Sequence, residues 1–264
     1  MRRWVLRILG ALALAYVTAV GGLYAAQDRF IYPAPQIRHA PAPGFAAQTL
    51  TTDDGLALQA HWRAPDTGRP SIVFFHGNGG SLALAAQETL GFAAQGYGVL
   101  LVEYRGYGGN PGQPSEEGFY RDGRAAMAFL GRESIAPART VIVGHSLGSG
   151  TASQMAQEFA PAALILLAPF TSLPDVAAGA MPFVPARWLV SARFENVAKV
   201  PDLSQPVLIA HGTADGVVPF ALGERLAKAA PRATFRAVPG SGHMISLEPE
   251  VQAAELEWLA AQGL

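Results

Sequence analysis

Gly144-His145-Ser146-Leu147-Gly148 sets a serine between two glycines, after the apolar run Val141-Ile142-Val143 and ahead of a stretch with helical pattern. A serine on a tight strand-to-helix turn has its hydroxyl exposed for nucleophilic attack, and so sharp a bend leaves room only for glycine on either side. The N-terminus of the following helix favours negative charge that develops nearby. In a chain with 29 glycines the bare pattern is weak, and its weight comes from the strand before it and the helix after it. A nucleophilic serine needs a base, and the chain offers six histidines. His145 lies inside the turn, His76 and His211 end apolar runs, and His39 and His61 precede the main block of strands. His243, in Pro239-Gly240-Ser241-Gly242-His243, falls in a loop between the last expected strand and the last helix, where it can face Ser146. The third member is a carboxylate that fixes the imidazole tautomer and stabilises its cation; Asp215, four residues past His211, has the right place. The plainer readings are an incidental serine in a glycine-rich turn, a surface histidine and a turn-capping aspartate.

An oxyanion formed at the attacked carbonyl needs two backbone donors. One expected donor is the N–H of Leu147, directly after the serine, and the other is the N–H of Asn78 in His76-Gly77-Asn78-Gly79-Gly80, a loop whose glycines admit a substrate close to the backbone. Neither G-x-x-x-x-G-K-[ST] nor G-x-G-x-x-G follows, so a phosphate cradle is a poorer reading of that loop. This chemistry requires neither a metal nor an organic cofactor.

The elements that must position these residues are legible in outline. Apolar runs without polar alternation at Ser71–His76, Val99–Tyr104, Thr140–His145, Ala163–Pro169, Pro206–His211 and Thr234–Val238 read as strands buried on both faces of a parallel sheet. Helical patterns at Leu82–Gln95, Glu116–Leu130, Leu147–Phe159, Phe220–Ala230 and Pro249–Ala261 supply the crossovers. Thr49–Thr52 and Ala57–Trp62, joined by Asp53-Asp54-Gly55, read as an edge hairpin. About 35 residues separate the strand near Phe170 from the one at Pro206, too long for an ordinary connection, and predict a lid over residues 171–204. Its Met181, Pro182, Phe183, Val184, Trp188, Leu189 and Phe194 could line an acyl pocket or merely hold the lid to the domain.

Nineteen uncharged residues run from Ile8 to Ala26, long enough as a helix to cross a bilayer's hydrocarbon core. Arg2, Arg3 and Arg7 before the run, against Arg29 after it, predict a cytoplasmic N-terminus with the rest of the chain across the membrane. A cleaved signal peptide and a buried core helix compete with that reading. Residues 1–30 are thus expected to be an anchor, 31–45 with Pro33, Pro35, Pro41 and Pro43 a semi-rigid tether that lifts the domain off the membrane surface, and 46–264 one catalytic domain. A net charge of −1 without a basic run gives nucleic acid no electrostatic footprint. The chain has no cysteine, which excludes disulfides, thiolate catalysis, Cys-ligated zinc and lipidation through Cys. Nothing in the sequence fixes the oligomeric state.

Taken together, Phe30-Ile31-Tyr32-Pro33, His76-Gly77-Asn78-Gly79-Gly80, Tyr104-Arg105-Gly106-Tyr107-Gly108, Pro114-Ser115-Glu116-Glu117-Gly118, the serine turn, Pro169-Phe170-Thr171-Ser172, Trp188 to Phe194, His211-Gly212 with Asp215 and Pro219, and Gly242-His243 resemble the membrane-anchored α/β-hydrolases of the Bem46 type, related to the ABHD13-like and ABHD17-like serine hydrolases. The resemblance covers nearly the whole chain. It implies an α/β-hydrolase fold, a mostly parallel sheet with helices on both faces and a short lid insertion, following an N-terminal transmembrane helix. It also implies a hydrolase for a small-molecule or lipid-like acyl substrate, with ester or acyl thioester cleavage through Ser146, His243 and Asp215. A peptidase or amidase on the same three residues, or a silent membrane-tethered scaffold, are the alternatives.

Overall fold

The runs without polar alternation become the middle of a sheet. A computed structural model, describing all 264 residues, has eight strands: β1 (Ala46–Thr51), β2 (Ala57–Arg63), β3 (Ser71–Phe75), β4 (Gly98–Val102), β5 (Thr140–His145), β6 (Ala163–Leu167), β7 (Val207–Gly212) and β8 (Ala233–Val238). They lie in the order β1-β2-β4-β3-β5-β6-β7-β8. The pairs β1/β2 and β2/β4 are antiparallel, and every other pair is parallel. All residues of β3 to β7 are buried, which explains the unbroken apolar pattern.

Ten helices accompany the strands: α1 (Arg2–Ile31), α2 (Leu82–Glu88), α3 (Leu90–Ala94), α4 (Glu116–Arg132), α5 (Gly148–Phe159), α6 (Leu173–Ala180), α7 (Ala186–Leu189), α8 (Asn196–Lys199), α9 (Phe220–Ala229) and α10 (Pro249–Ala261). Phe119 and Leu130 of α4, Met155 of α5 and Leu226 of α9 enter one core beneath the sheet; Leu82 of α2, Phe92 of α3 and Val251 and Leu259 of α10 enter the core on its other face. The sequence predicts one helix over Leu82–Gln95, whereas the structure breaks it at Thr89. That hydroxyl donates back to the Ala85 carbonyl at 2.8 Å, competing with the backbone ladder.

The long connection after β6 holds α6, α7 and α8 and forms the expected lid. α1 is the one helix long and apolar enough to cross a membrane, and none of its residues is buried. The prolines after it predict a spacer that lifts the domain away, but the structure lays this segment along the domain. It carries neither helix nor strand from Tyr32 to Phe45. Tyr32 is buried edge-on against Phe119 at 5.3 Å, the Gly108 N–H donates to the Pro35 carbonyl at 2.7 Å, and Gln36 Nε2 donates to the Gly106 carbonyl at 2.7 Å. Burial of an aromatic ring outweighs the freedom a detached strap would keep.

Candidate active site

Ser146 sits between β5 and α5 with φ of +52°, in the left-handed region that a side chain enters only when its surroundings hold it there. Its N–H donates to the Leu167 carbonyl of the neighbouring strand at 2.9 Å. The flanking glycines are required sterically: a Cβ on Gly144 would meet Ala152 Cβ at 2.6 Å, and one on Gly148 would overlap the Phe75 carbonyl oxygen. The sequence places the start of the helix at Leu147; α5 begins one residue later, with Leu147 as its cap.

The structure brings all three residues of the expected constellation together. Ser146 Oγ lies 2.8 Å from His243 Nε2, and His243 Nδ1 lies 2.8 Å from Asp215 Oδ2. The serine hydroxyl can donate to one ring nitrogen while the other donates to the carboxylate, which fixes the tautomer that leaves Nε2 free to accept a proton. Asp215 Oδ1 accepts the N–H groups of Val217 and Val218 at 2.8 and 2.9 Å. Burial pushes this carboxyl up, but the hydrogen bonds from His211, His243 and the two backbone N–H groups outweigh it and hold the group well below the usual carboxylate range.

Asn78 and Leu147 both border the cavity that contains Ser146 and His243, and their backbone N–H groups make no hydrogen bond within the protein. Two free donors beside a serine are what a developing oxyanion needs. The Asn78 loop is held from behind: His76 Nδ1 donates to the Gly77 carbonyl at 2.8 Å and His76 Nε2 to Glu103 Oε1 at 2.9 Å. Both partners are acceptors, so both ring nitrogens carry hydrogen. Burial alone disfavours the charged ring, but the hydrogen bond and charge of Glu103 prevail and raise its pKa.

Sequence reasoning missed three supporting residues. His211 Nε2 lies 3.2 Å from Asp215 Oδ2, the oxygen that also meets His243, and 3.0 Å from the Val218 carbonyl, bracing the carboxylate. His145 Nε2 donates to the backbone carbonyl of His243 at 3.0 Å, and its Nδ1 pairs with buried Glu88 at 2.8 Å. Burial raises the Glu88 carboxyl, yet the bonds from His145 and Ser246 outweigh that and lower it. A glutamate on the apolar face of a helical pattern is the one signal for this pair, since buried carboxylates need partners.

The cavity above Ser146 measures about 580 Å³, within the ~300–1,000 Å³ range of small-molecule sites. Leu173, Val176, Ala177, Ala180, Met181 and Val190 of the lid form one wall, and Leu23, Gln27, Phe30 and Ile31 of α1 form another. Of the lid residues expected either to line a pocket or to glue the lid down, Met181 lines it, Phe194 is fully buried against Phe119 and Tyr120, and Phe183 and Trp188 point outward at 87% and 89% exposure. The α1 wall has no counterpart in the sequence reading, which assigns that helix to anchoring alone. His, Asp and Glu nowhere form a group of three suited to a metal ion.

Comparison with known proteins agrees with this architecture. Residues 70–199 match the family described as alpha/beta hydrolase fold. An uncharacterised protein of Mycobacterium tuberculosis is 36% identical over 248 residues, covering 90% of this chain and 88% of its own. The alpha/beta hydrolase domain-containing protein WAV2 of Arabidopsis thaliana is 31% identical over 220 residues, covering 74% of this chain and 71% of its own. The lysophosphatidylserine lipase ABHD12 of Danio rerio is 32% identical over 197 residues, 66% of this chain and 51% of its own. Among solved structures, the Pyrococcus furiosus esterase Pf2001 superposes with a TM-score of 0.70 at 18% identity over 86% of this chain and 98% of its own, a likeness of fold. Sheet order, serine turn and sequence relationship converge, and the chain belongs to the α/β-hydrolase family.

Proposed function

We propose that this protein is a membrane-anchored serine hydrolase that cleaves carboxylic ester or acyl thioester bonds, in the manner of the Bem46-type hydrolases it resembles. The observation carrying this reading is the relay Ser146 Oγ to His243 Nε2 to Asp215, each step 2.8 Å long, at the floor of an apolar cavity. His243 takes the serine proton as Ser146 attacks the acyl carbonyl, and the N–H groups of Asn78 and Leu147 receive the oxyanion. His243 then returns the proton to the leaving group; a water molecule, deprotonated by the same ring, releases the acid from the acyl-enzyme. An apolar wall on two sides favours an acyl chain over a polar substrate. The zebrafish relative that acts on a lysophospholipid supports a lipid-like substrate.

The membrane part of the proposal rests on α1, with the N-terminus cytoplasmic and the domain on the other side. Full-length protein should react with a fluorophosphonate and hydrolyse members of a panel of p-nitrophenyl esters and acyl thioesters, while peptide amides are left intact. It should resist extraction from membranes by carbonate. Absence of both labelling and turnover would refute the hydrolase; release by carbonate would refute the anchor.

A further inference from the structure

The lid does not rest only on the catalytic domain; it is clasped along α1. Tyr16 Oη donates to the Phe183 carbonyl at 2.8 Å, and Gln27 Oε1 accepts from the Ser191 N–H at 2.9 Å and hydroxyl at 3.1 Å. Tyr16 and Gln27 are eleven residues apart, ~16 Å along a helix axis. Most of that length lies inside the uncharged run from Ile8 to Ala26. Once this run crosses a bilayer, a lid fixed to its second half cannot stay in water. Phe183 is held beside Tyr16, about halfway along the uncharged run.

Three features of the lid suit such a place. From Val176 to Ala186 no side chain is charged or capable of hydrogen bonding, and the largest of them, Phe183, stands almost fully exposed, as does Trp188 just beyond. The backbone is largely satisfied internally, as hydrocarbon demands. Met181, Val184, Ala186, Trp188 and Val190 donate within the lid and Pro182 and Pro185 have no N–H, which leaves, among residues 181–190, the N–H groups of Phe183 and Arg187 without an acceptor in the protein and that of Leu189 with none beyond α7. The charge at Arg187 is paired with Asp175 at 3.0 Å, on a side chain long enough to reach headgroups. A narrow second crevice of about 40 Å³ follows the seam between α1 and the lid, and it shares Leu23, Gln27, Met181 and Val190 with the cavity over Ser146.

We propose that the lid and the second half of α1 form one face embedded in the bilayer leaflet on the domain's side, and that the cavity is entered through their seam by the acyl chain of an amphiphile dissolved in that leaflet. The proposal rests on the membrane insertion of α1 and, for the entry route, on the hydrolase reading above.

Because the chain lacks cysteine, single cysteines can be labelled without background. Full-length Phe183→Cys, Trp188→Cys, Leu12→Cys and Glu133→Cys, each carrying an environment-sensitive fluorophore, would be reconstituted in phosphatidylcholine vesicles containing lipid brominated along its acyl chains. Glu133 is exposed at the far end of α4 and serves as the aqueous reference. The label at 183 should show blue-shifted emission and quenching comparable with that at 12, the label at 188 intermediate values, and the label at 133 neither. Water-like signals at 183 and 188 with a lipid-like signal at 12 would overturn the embedded lid while leaving the anchor standing; a water-like signal at 12 would overturn both. The route is read from the double variant Phe183→Asp/Trp188→Asp, neither residue lining the cavity. Two carboxylates in the lid should lower the ratio of vesicle-embedded long-chain ester hydrolysis to water-soluble butyrate hydrolysis by about tenfold. An unchanged ratio would refute entry from the leaflet. If the wild-type protein neither reacts with a fluorophosphonate nor hydrolyses any ester, the hydrolase reading fails and takes the entry route with it, whereas the labels still decide where the lid lies.

Discussion

Replacing Asp215 by Asn tests the catalytic assignment most sharply, because shape is kept while the hydrogen-bond logic is reversed. Asp215 accepts on both sides: Oδ1 from Val217 and Val218, Oδ2 from His243 and His211. An asparagine has one accepting oxygen, and the two fixed backbone N–H groups claim it. Its NH₂ then faces His243 Nδ1, which must accept instead of donate. The ring proton moves to Nε2, so the nitrogen 2.8 Å from Ser146 Oγ can no longer receive the serine proton. In a serine protease, Asn in place of the triad Asp lowers kcat by ~10⁴, equivalent to ~5.4 kcal/mol of transition-state stabilisation, and a comparable loss is expected here. Steady-state hydrolysis of a short p-nitrophenyl ester measures it, with fluorophosphonate labelling rate as a second readout and thermal unfolding as the check on folding. A loss below tenfold in a folded variant would refute the assignment. Glu248, bonded to the Ser241 hydroxyl near His243, would then be the next carboxylate to test; Glu195 is engaged by Arg193.

Ser146→Ala should abolish labelling and turnover without loss of fold, since only the hydroxyl is removed; near wild-type hydrolysis would show a different nucleophile. His145→Ala removes the donor that holds the His243 carbonyl, and the resulting misplacement of the ring should cost about 10²-fold in kcat with KM little changed; an equal rise in KM would point to a role in substrate binding. Deleting residues 1–30 removes Leu23, Gln27 and Phe30 from the cavity wall, so long-chain ester turnover should fall far more than short-chain turnover; equal losses would deny α1 a part in chain binding. The His76–Glu103 pair carries a pH signature of definite sign. A folded pKa raised above the unfolded one gives stabilisation that is complete below the unfolded value, ~6.5, and is lost as pH rises through the higher folded value. The gap in Tm between wild type and Glu103→Gln should therefore narrow as pH rises above neutrality, and a widening gap would refute the charged pair.

The residues whose role is enforced locally can be read from sequence. Gly144 is required by contacts within the strand–turn–helix itself and Gly148 by the backbone of the adjoining strand β3, a neighbour the serine turn always has in this sheet order, and the sheet's central strands declare themselves because both faces are covered. His243 and Asp215 are reachable because fold order restricts which loop can meet the serine turn. The supports are harder. His145 pairs with Glu88 from a distant part of the chain, and no periodicity encodes that contact. The wall contributed by Leu23, Gln27, Phe30 and Ile31 faces lid residues far along the chain, so composition shows an apolar helix and nothing of what it covers. The strap from Tyr32 departs from expectation for a related reason: proline content determines that it is extended, whereas whether it stands free depends on the slot beside Phe119.

That strap also removes a degree of freedom. α1 continues unbroken to Ile31, and the next residue, Tyr32, is already in the domain core, so no hinge separates them. In a bilayer, helix and domain would lean as a single body. A helix answers a mismatch between its hydrophobic length and the host thickness by tilting, and here each degree of tilt would carry the mouth of the cavity with it. Lipid composition would then act on the enzyme mechanically, with bilayer thickness setting how far the opening is submerged, in the absence of any bound regulator.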